Sequence, residues 1–135
     1  MDKVSREKRS EVMRAVRSRD TKPELVVRRT AYALGFRFRV NVKDLPGRPD
    51  LAIKSRKKAI FIHGCFWHRH QNCKRSTLPR SNQAYWAKKF AENIKRDELT
   101  MATYRSMGWE PLVIWECELA DREALSERIK LYLTF

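Results

Sequence analysis

The chain has 135 residues, 42% of them hydrophobic, which is enough to bury one core and excludes a wholly disordered protein. Thirty Lys and Arg against sixteen Asp and Glu give a net charge of +14, an excess typical of proteins that bind nucleic acid. No segment is apolar for long enough to cross a membrane, and the charged start is unlike a signal peptide. We therefore expect a soluble, intracellular protein with no membrane partner, and a merely basic protein is the alternative to a nucleic-acid enzyme.

The first half of the chain predicts an arm, a helix and a hairpin. Residues 1–20 are highly charged and predict a short helical arm, while residues 21–135 predict a single domain. The sequence TKPE predicts a helix that Thr21 caps, with Glu24 completing a capping box and Gly35 ending the helix. Residues 36–40 alternate like a half-buried strand, and residues 51–63 predict two strands joined by a polar turn.

The second half predicts a long polar helix, a buried strand and a closing helix. The long helix covers residues 83–105, the strand residues 110–117 and the closing helix residues 120–133. The order α-α-β-β-β-α-β-α predicts an α/β fold with helices on the faces of one sheet. Apolar positions near helical spacing are Trp86, Phe90, Ile94, Leu99 and Tyr104 in the long helix, and Leu125, Ile129 and Leu131 in the closing one.

Residues 61–73, FIHGCFWHRHQNC, contain all three histidines and two of the three cysteines. Cysteines of an intracellular protein seldom form disulfides, so metal binding is the better interpretation. Cys65, His70 and Cys73, together with Cys117 downstream, predict a Cys3His zinc site. Four protein ligands leave no open position, so this zinc would be structural. The alternative is that Cys65 and Cys117 are small core residues without a metal.

A second kind of chemistry is predicted by acidic residues and histidines that are not among the predicted zinc ligands. Asp50 begins one strand of the hairpin and His63 ends the other, an arrangement typical of metal-dependent phosphodiester hydrolysis. Asp50 would hold Mg²⁺, which prefers oxygen ligands, and a histidine would take the proton of the attacking water. Asp97 on the long helix would orient that histidine. The alternatives are that Asp50 is a turn residue, that His63 and His68 support the zinc, and that Asp97 is a solvated charge.

The same motifs carry a family resemblance. PGRPD (46–50), FIHGCFWHRH (61–70), IWEC (114–117) and MRAVRSRDTKPE (13–24) closely resemble the very-short-patch-repair (Vsr) endonucleases, from about Ser5 to Leu133. The resemblance implies a restriction-endonuclease-like fold, a variant PD-(D/E)xK core with a mixed central sheet. In the usual version an acidic residue and a lysine stand where this chain has Phe61 and His63. The resemblance therefore implies that the backbone carbonyl of Ile62 completes the metal shell.

The resemblance also implies roles for the site residues. The family's catalytic aspartate matches Asp50, and its catalytic histidine matches His68 with Asp97 as its partner. His63 matches a second active-site histidine, and Glu24 matches an acidic residue beside the site. The family's structural zinc ligands match the four residues already chosen. This chain departs from the family pattern by the isoleucine before HGC, by one extra residue between the last two ligands of the loop, and by the divergent segment 75–86.

The resemblance implies a substrate as well. Family members wedge aromatic side chains beside a mismatched pair, and Phe66, Trp67 and Trp86 hold those positions, with Met13 and Val16 as a second wedge on the arm. The implied reaction is a nick 5′ to the thymine of a T·G pair, left by deamination of 5-methylcytosine in duplex DNA. A monomer in the bacterial cytoplasm, at the nucleoid, is expected, with mismatch-repair proteins as candidate partners. A non-catalytic zinc-stabilised DNA-binding module and a dimeric restriction-type endonuclease are the alternatives.

Overall fold

The structure, a computed structural model, describes residues 21–135 as a four-stranded mixed sheet with three helices. The predicted arm, with Met13 and Val16, lies outside the described residues. No helix in residues 21–135 has both the length and the apolar character that a membrane span requires. The elements are α1 (Lys22–Ala33), β1 (Arg39–Val40), β2 (Leu51–Ile53), β3 (Lys58–His63), α2 (Gln83–Ser106), β4 (Leu112–Trp115) and α3 (Arg122–Thr134), with 3-10 turns at Lys54–Arg56 and Glu116–Ala120.

The sheet has the strand order β1-β2-β3-β4. Strands β1, β2 and β3 pair antiparallel, which confirms the predicted hairpin over residues 51–63. Strand β4 returns after the long helix α2 and pairs parallel to β3, with Trp115 opposite His63 at the end of both strands. The α/β architecture and the mixed sheet are therefore confirmed.

Alternating side chains of β3 face two different layers. Ile60 belongs to the main core, in which α1 and α3 pack on one face of the sheet. Ala59 and Phe61 belong to a second core on the other face, with Tyr104 of α2. Because side chains alternate along a strand, His63 lies on the same face as Phe61, the face that α2 covers. His63 is thus directed toward α2.

The predicted strand over residues 36–40 is wrong in its length. Only Arg39 and Val40 pair with β2, and both are exposed. Phe36 and Phe38 instead pack against the main core without strand pairing. Their alternating pattern reflects contact with the core, which an irregular segment can make as well as a strand.

The capping box predicted at the start of the first helix is also wrong. Thr21 occupies the N-cap position, but its side chain makes no capping hydrogen bond. Glu24 is buried, and its carboxylate accepts a hydrogen bond from Arg28 at 3.1 Å, one turn further along the helix. An arginine four residues away on the same face competes successfully for that carboxylate.

The apolar faces of the other two helices are partly different from the prediction. On α3, Leu131 is 55% exposed while Leu133 is fully buried, because positions 125, 129 and 133 follow the helical spacing of four. On α2, Phe90 and Tyr104 are buried as predicted, but Ile94 and Leu99 are exposed. The buried face of α2 also contains the polar Asn93, which a search for apolar residues overlooks.

Candidate active site and metal centre

A cavity of about 240 Å³ lies between the hairpin and α2. Four of the predicted catalytic residues line it together: Asp50, His63, His68 and Asp97. They come from four separate parts of the chain, namely the start of β2, the end of β3, the loop after β3 and the middle of α2. The tertiary fold is therefore what creates this group.

The loop before Asp50 is held close to α2. The Tyr104 hydroxyl donates a hydrogen bond to the Pro46 carbonyl at 2.6 Å. Gly47 has a φ of +68°, and a Cβ added there would lie 2.5 Å from the Thr100 side chain. Glycine is therefore needed both for its backbone conformation and for the close approach. This contact places the entry to β2 at the wall of the cavity.

Asp50 is partly buried beside β3. The backbone N–H of Ile62 donates a hydrogen bond to Asp50 Oδ2 at 2.7 Å, which fixes the carboxylate across the hairpin. Burial raises the pKa of Asp50 to about 6, the Ile62 hydrogen bond opposes this, and the negative charge of Glu24 adds to it. The positive charge of Arg28 has the opposite, weaker effect. Glu24 thus acts on Asp50 electrostatically, from outside the group that lines the cavity.

His68 and Asp97 form a close pair. His68 Nδ1 lies 2.6 Å from Asp97 Oδ2. An ionised carboxylate can only accept, so Nδ1 carries the proton and, in the neutral ring, Nε2 is left as an acceptor. His63 stacks on His68 with ring centroids 3.9 Å apart and planes 8° from parallel. Burial, and then the charge of His68, lower the pKa of His63 to about 4, so His63 is neutral at pH 7.

The four predicted zinc ligands also meet in the structure. Ligand atoms of Cys65, His70, Cys73 and Cys117 all lie within 4.8 Å of one another. Cys117 Sγ is 3.4 Å from His70 Nδ1. Two ligands at ~2.0–2.3 Å from a tetrahedral zinc would be about 3.5 Å apart, so the donor set fits this metal.

The loop that supplies three of these ligands has additional support. The Ser76 hydroxyl lies 2.8 Å from two backbone carbonyl oxygens, those of Cys65 and His70. Asn72, directly before Cys73, has a φ of +57°, the left-handed conformation of a tight turn. Cys117 lies in the 3-10 turn after β4, and the predicted strand end at residue 117 is two residues too late. The geometry thus brings Cys65, His70, Cys73 and Cys117 together in one group, and His63, His68 and Asp97 in another.

Phe66, Trp67 and Trp86, the aromatic residues predicted as a wedge, form a cluster at the N-terminal end of α2. The ring of Phe66 lies 5.1 Å from Trp67, 5.7 Å from Trp86 and 5.3 Å from Phe90. Trp67, between Cys65 and His70, is 46% exposed, so a large apolar ring of this loop faces solvent. The Asn93 side-chain amide donates to the Trp67 carbonyl at 3.2 Å and fixes the backbone below that ring. The rings of this cluster therefore pack against one another, while that of Trp67 also remains accessible to solvent.

Comparison with known proteins decides the family. The sequence model of the family described as DNA mismatch endonuclease Vsr matches residues 1–75. The Type II nicking enzyme V.XorIIP of Xanthomonas oryzae pv. oryzae is 43% identical over 129 residues, which cover 96% of this chain and 94% of the relative. DNA mismatch endonuclease Vsr of Escherichia coli (strain K12) is 37% identical over 130 residues, which cover 93% and 83%. This chain belongs to the Vsr family.

The resemblance drawn from the PGRPD and HGCFWH motifs is thereby confirmed. The Type II nicking enzyme V.NmeAIP of Neisseria meningitidis is a further relative, 39% identical over 122 residues that cover 90% of this chain. Membership of a family of DNA mismatch endonucleases supports nuclease activity on DNA and favours it over a non-catalytic binding module. The cavity around Asp50 brings together carboxylate and imidazole groups, which are the groups that phosphodiester hydrolysis uses.

Two cavity residues were missed by the sequence analysis. Arg48 and Arg96 line the same cavity as Asp50, and both are exposed. Arg48 has a φ of +50°, a left-handed conformation that is uncommon for residues with a side chain. The signals that would have found them are the arginine within PGRPD and the arginine directly before Asp97.

Proposed function

We propose that this Vsr-family chain is a Mg²⁺-dependent endonuclease that nicks duplex DNA on the 5′ side of the thymine in a T·G mismatch. The observation that carries the proposal is the single cavity in which Asp50 meets the His68–Asp97 pair. The nick would begin very-short-patch repair of deaminated 5-methylcytosine. The mixed sheet is read as a variant PD-(D/E)xK core, with residues 21–135 as the endonuclease domain and residues 1–20 as a DNA-contacting arm.

The residues around Asp50 suit a hard divalent cation. Asp50 offers carboxylate oxygen, and the Ile62 carbonyl is proposed as a second oxygen ligand from the neighbouring strand. The pKa of Asp50 is raised to about 6, so its ionised form lacks a compensating positive charge. Bound Mg²⁺ would supply that charge, polarise the scissile phosphate and stabilise the leaving oxygen. Glu24 would tune the charge of Asp50 from outside the metal shell.

The histidine pair is assigned to proton transfer. His68, with Nδ1–H donated to Asp97, presents Nε2 to take a proton from the attacking water. Asp97 holds this tautomer and stabilises the imidazolium that forms. His63 is neutral at pH 7 because its pKa is lowered to about 4, so it would contribute a hydrogen bond at the phosphate. The two histidines would thus have different tasks.

The aromatic cluster is assigned to recognition of the mismatch. Phe66, Trp67 and Trp86 would enter the base stack beside the mispaired thymine, with Met13 and Val16 of the arm as a second wedge. Unstacking costs a few kcal/mol per step, and it costs less where pairing is already poor. One group of proposed catalytic residues within residues 21–135 favours a monomer that cuts one strand. The setting would be the bacterial cytoplasm at the nucleoid, with mismatch-repair proteins as candidate partners.

Removing one ligand of the proposed zinc site should unfold the loop that carries His68 and the wedge. Cys117→Ser removes the ligand that ties this loop to the end of β4. Since metal binding contributes directly to folding, we expect the free energy of unfolding to fall by on the order of 3 kcal/mol or more. Elemental analysis should find about one zinc per wild-type chain and far less in the variant. Ser126→Ala on α3 is the control, and equal zinc content and stability in Cys117→Ser would contradict the assignment.

Arg96→Gln should weaken DNA binding with little dependence on sequence. The side chain lines the catalytic cavity, so its expected contact is a phosphate. Loss of one phosphate contact reduces the slope of log K against log salt by about 0.9. A salt titration of binding to one duplex measures this slope. Lys130→Gln changes an exposed cation on α3, on the other face of the sheet, and should leave the slope unchanged. An equal change of slope in both variants would contradict a phosphate contact by Arg96.

The proposed substrate is tested with duplexes labelled separately on each strand. One duplex carries a single T·G pair and the other is fully paired, and each is tested with and without Mg²⁺. We expect a nick on the thymine strand of the mismatched duplex, directly 5′ to the thymine, and intact paired DNA. Cleavage of both strands of paired DNA would support the restriction-type alternative. Tight binding without cleavage would support the binding module.

A further inference from the structure

A continuous series of rings connects the proposed zinc centre with the catalytic pair. The indole of Trp115 stacks on the His70 ring at 4.2 Å, with planes 10° from parallel. Its other neighbour is the His63 ring, 5.3 Å away and nearly perpendicular at 79°. His63 in turn stacks on His68, which is bonded to Asp97. All three histidines of the chain therefore belong to this series.

The backbone of Trp115 is held firmly in place. Trp115 is the last residue of β4 and lies opposite His63 in the parallel pairing with β3. The backbone N–H of Trp115 donates a hydrogen bond to Glu118 Oε1 at 3.0 Å, and Glu118 is itself paired with Arg128 of α3. The backbone of Trp115 is therefore fixed, and with it the point at which the indole leaves the sheet.

The space next to these rings explains why the indole matters. A second cavity, of about 330 Å³, is lined by His63, His68 and Trp115. If the indole were removed, this space would extend to the face of His63 that the indole now covers. The His63 ring could then turn, and His68 would lose the fixed plane on which it stacks. A catalytic group has to be held within about 10–20° of its productive orientation, so such freedom is expected to slow the reaction.

We propose that Trp115 is a positioning residue that transmits the placement of the zinc-bound His70 to the His63–His68 pair. This inference rests on the proposed function, because it assigns Trp115 to the same catalytic site. The ring contacts of Trp115 are with His63 and His70, so it would act on His68 through His63. The zinc centre would thereby orient the catalytic histidine through packed rings, in addition to shaping the loop that carries it.

The experiment compares Trp115→Leu with Trp115→Phe, and uses Trp109→Phe as the matched control. Trp109 is a buried tryptophan of the α2 core, so its replacement reports general loss of packing. For Trp115→Leu we expect a 10- to 100-fold lower single-turnover nicking rate at saturating T·G duplex, about the loss usual for groups that orient metal ligands. DNA affinity and zinc content should stay close to those of wild type. Phenylalanine keeps a ring in the series and should restore most of the rate.

Proton NMR supplies a readout that is independent of activity. Because the chain has three histidines and all stand in the ring series, their imidazole resonances report it directly. Stacked neighbours should shift these resonances in wild type and in Trp115→Phe, and Trp115→Leu should return those of His63 and His70 toward ordinary positions.

Two results would overturn the inference. One is a wild-type rate in Trp115→Leu. The other is a lower rate in Trp115→Leu that is accompanied by loss of zinc or of stability and is not restored in Trp115→Phe. That result would mean that Trp115 has a purely structural role. Absence of nicking by the wild type would instead refute the proposed function, and the two failures are thereby distinguished.

Discussion

Replacing Asp50 by asparagine should abolish Mg²⁺-dependent cleavage and, at pH 7 without Mg²⁺, make the protein more stable. The pKa of Asp50 is raised from 3.8 to about 6, chiefly by burial. The folded state therefore holds the Asp50 proton more tightly than the unfolded state does, and ionising this group destabilises the fold. That destabilisation is absent below about pH 4 and complete above about pH 6, where it amounts to at most about 3 kcal/mol.

Asparagine removes this destabilisation and keeps an acceptor for the Ile62 N–H. We expect the free energy of unfolding to rise by about 1–3 kcal/mol at pH 7, and this gain to vanish near pH 4. Cleavage should fall by a factor on the order of 10³ or more, because the oxygen ligand has lost its charge. Urea unfolding of the zinc-loaded protein measures the stability, with Mg²⁺ omitted and no chelator added.

Asp44→Asn is the matched control for Asp50→Asn. Asp44 is an exposed carboxylate in the loop before β2, where it pairs with Lys54. That contact lowers the pKa of Asp44, so its ionised form favours the folded state, opposite in sign to Asp50. The control should leave cleavage unchanged and should not stabilise the protein. A loss of stability in Asp50→Asn at pH 7 would contradict the proposed charge balance of the site.

His68→Ala and Asp97→Asn should each lower the cleavage rate by about 10²–10⁴ without weakening DNA binding. Alanine removes the proton acceptor. Asparagine keeps a polar partner at Nδ1, but its amide can donate to that nitrogen and so favours the tautomer with the proton on Nε2. In that tautomer His68 cannot take a proton from water. The large effect of Asp97→Asn would thus come from moving the imidazole proton of His68 from Nδ1 to Nε2.

Single-turnover rates of the two variants and of the double variant test whether the pair acts as a unit. If it does, the double variant should be no slower than the slower single variant, since removing Asp97 matters only while His68 is present. Glu92→Gln, an exposed carboxylate on the same helix, is the control and should leave the rate unchanged. Independent, multiplicative losses in the double variant would contradict the pairing.

Local sequence patterns predicted the parts of the fold and site that depend on neighbouring residues. Two apolar runs joined by a polar turn predicted the hairpin over residues 51–63, and the apolar spacing of α2 and α3 predicted helices of nearly the observed length. The Cys3His group could be predicted because three of its members share one loop and the chain has just three cysteines. Cys117 was the single downstream cysteine available to complete the set.

Features that depend on tertiary contacts could not be predicted in this way. Phe36 and Phe38 have the alternation of a strand, but β2 ends at Ile53 and no strand lies opposite Phe36, while Phe38 packs on the main core instead of pairing with Ile53. The His63–His68 stack depends on the path of the loop after β3, and the contact of Trp115 with His70 joins residues that are close only after β4 has paired with β3. Sequence spacing contains no information about such ring geometry.

Single-turnover nicking of an end-labelled T·G duplex, measured across Mg²⁺ concentrations for wild type and Asp50→Asn, tests the central claim most directly. DNA affinity is determined in the same samples, and zinc is kept in place by withholding Mg²⁺ rather than adding a chelator. We expect wild type to cut the thymine strand with a saturable dependence on Mg²⁺, and the variant to bind equally well without cutting. Wild-type cleavage that persists without Mg²⁺, or an Asp50→Asn variant that cuts at the wild-type rate, would contradict the proposed metal site.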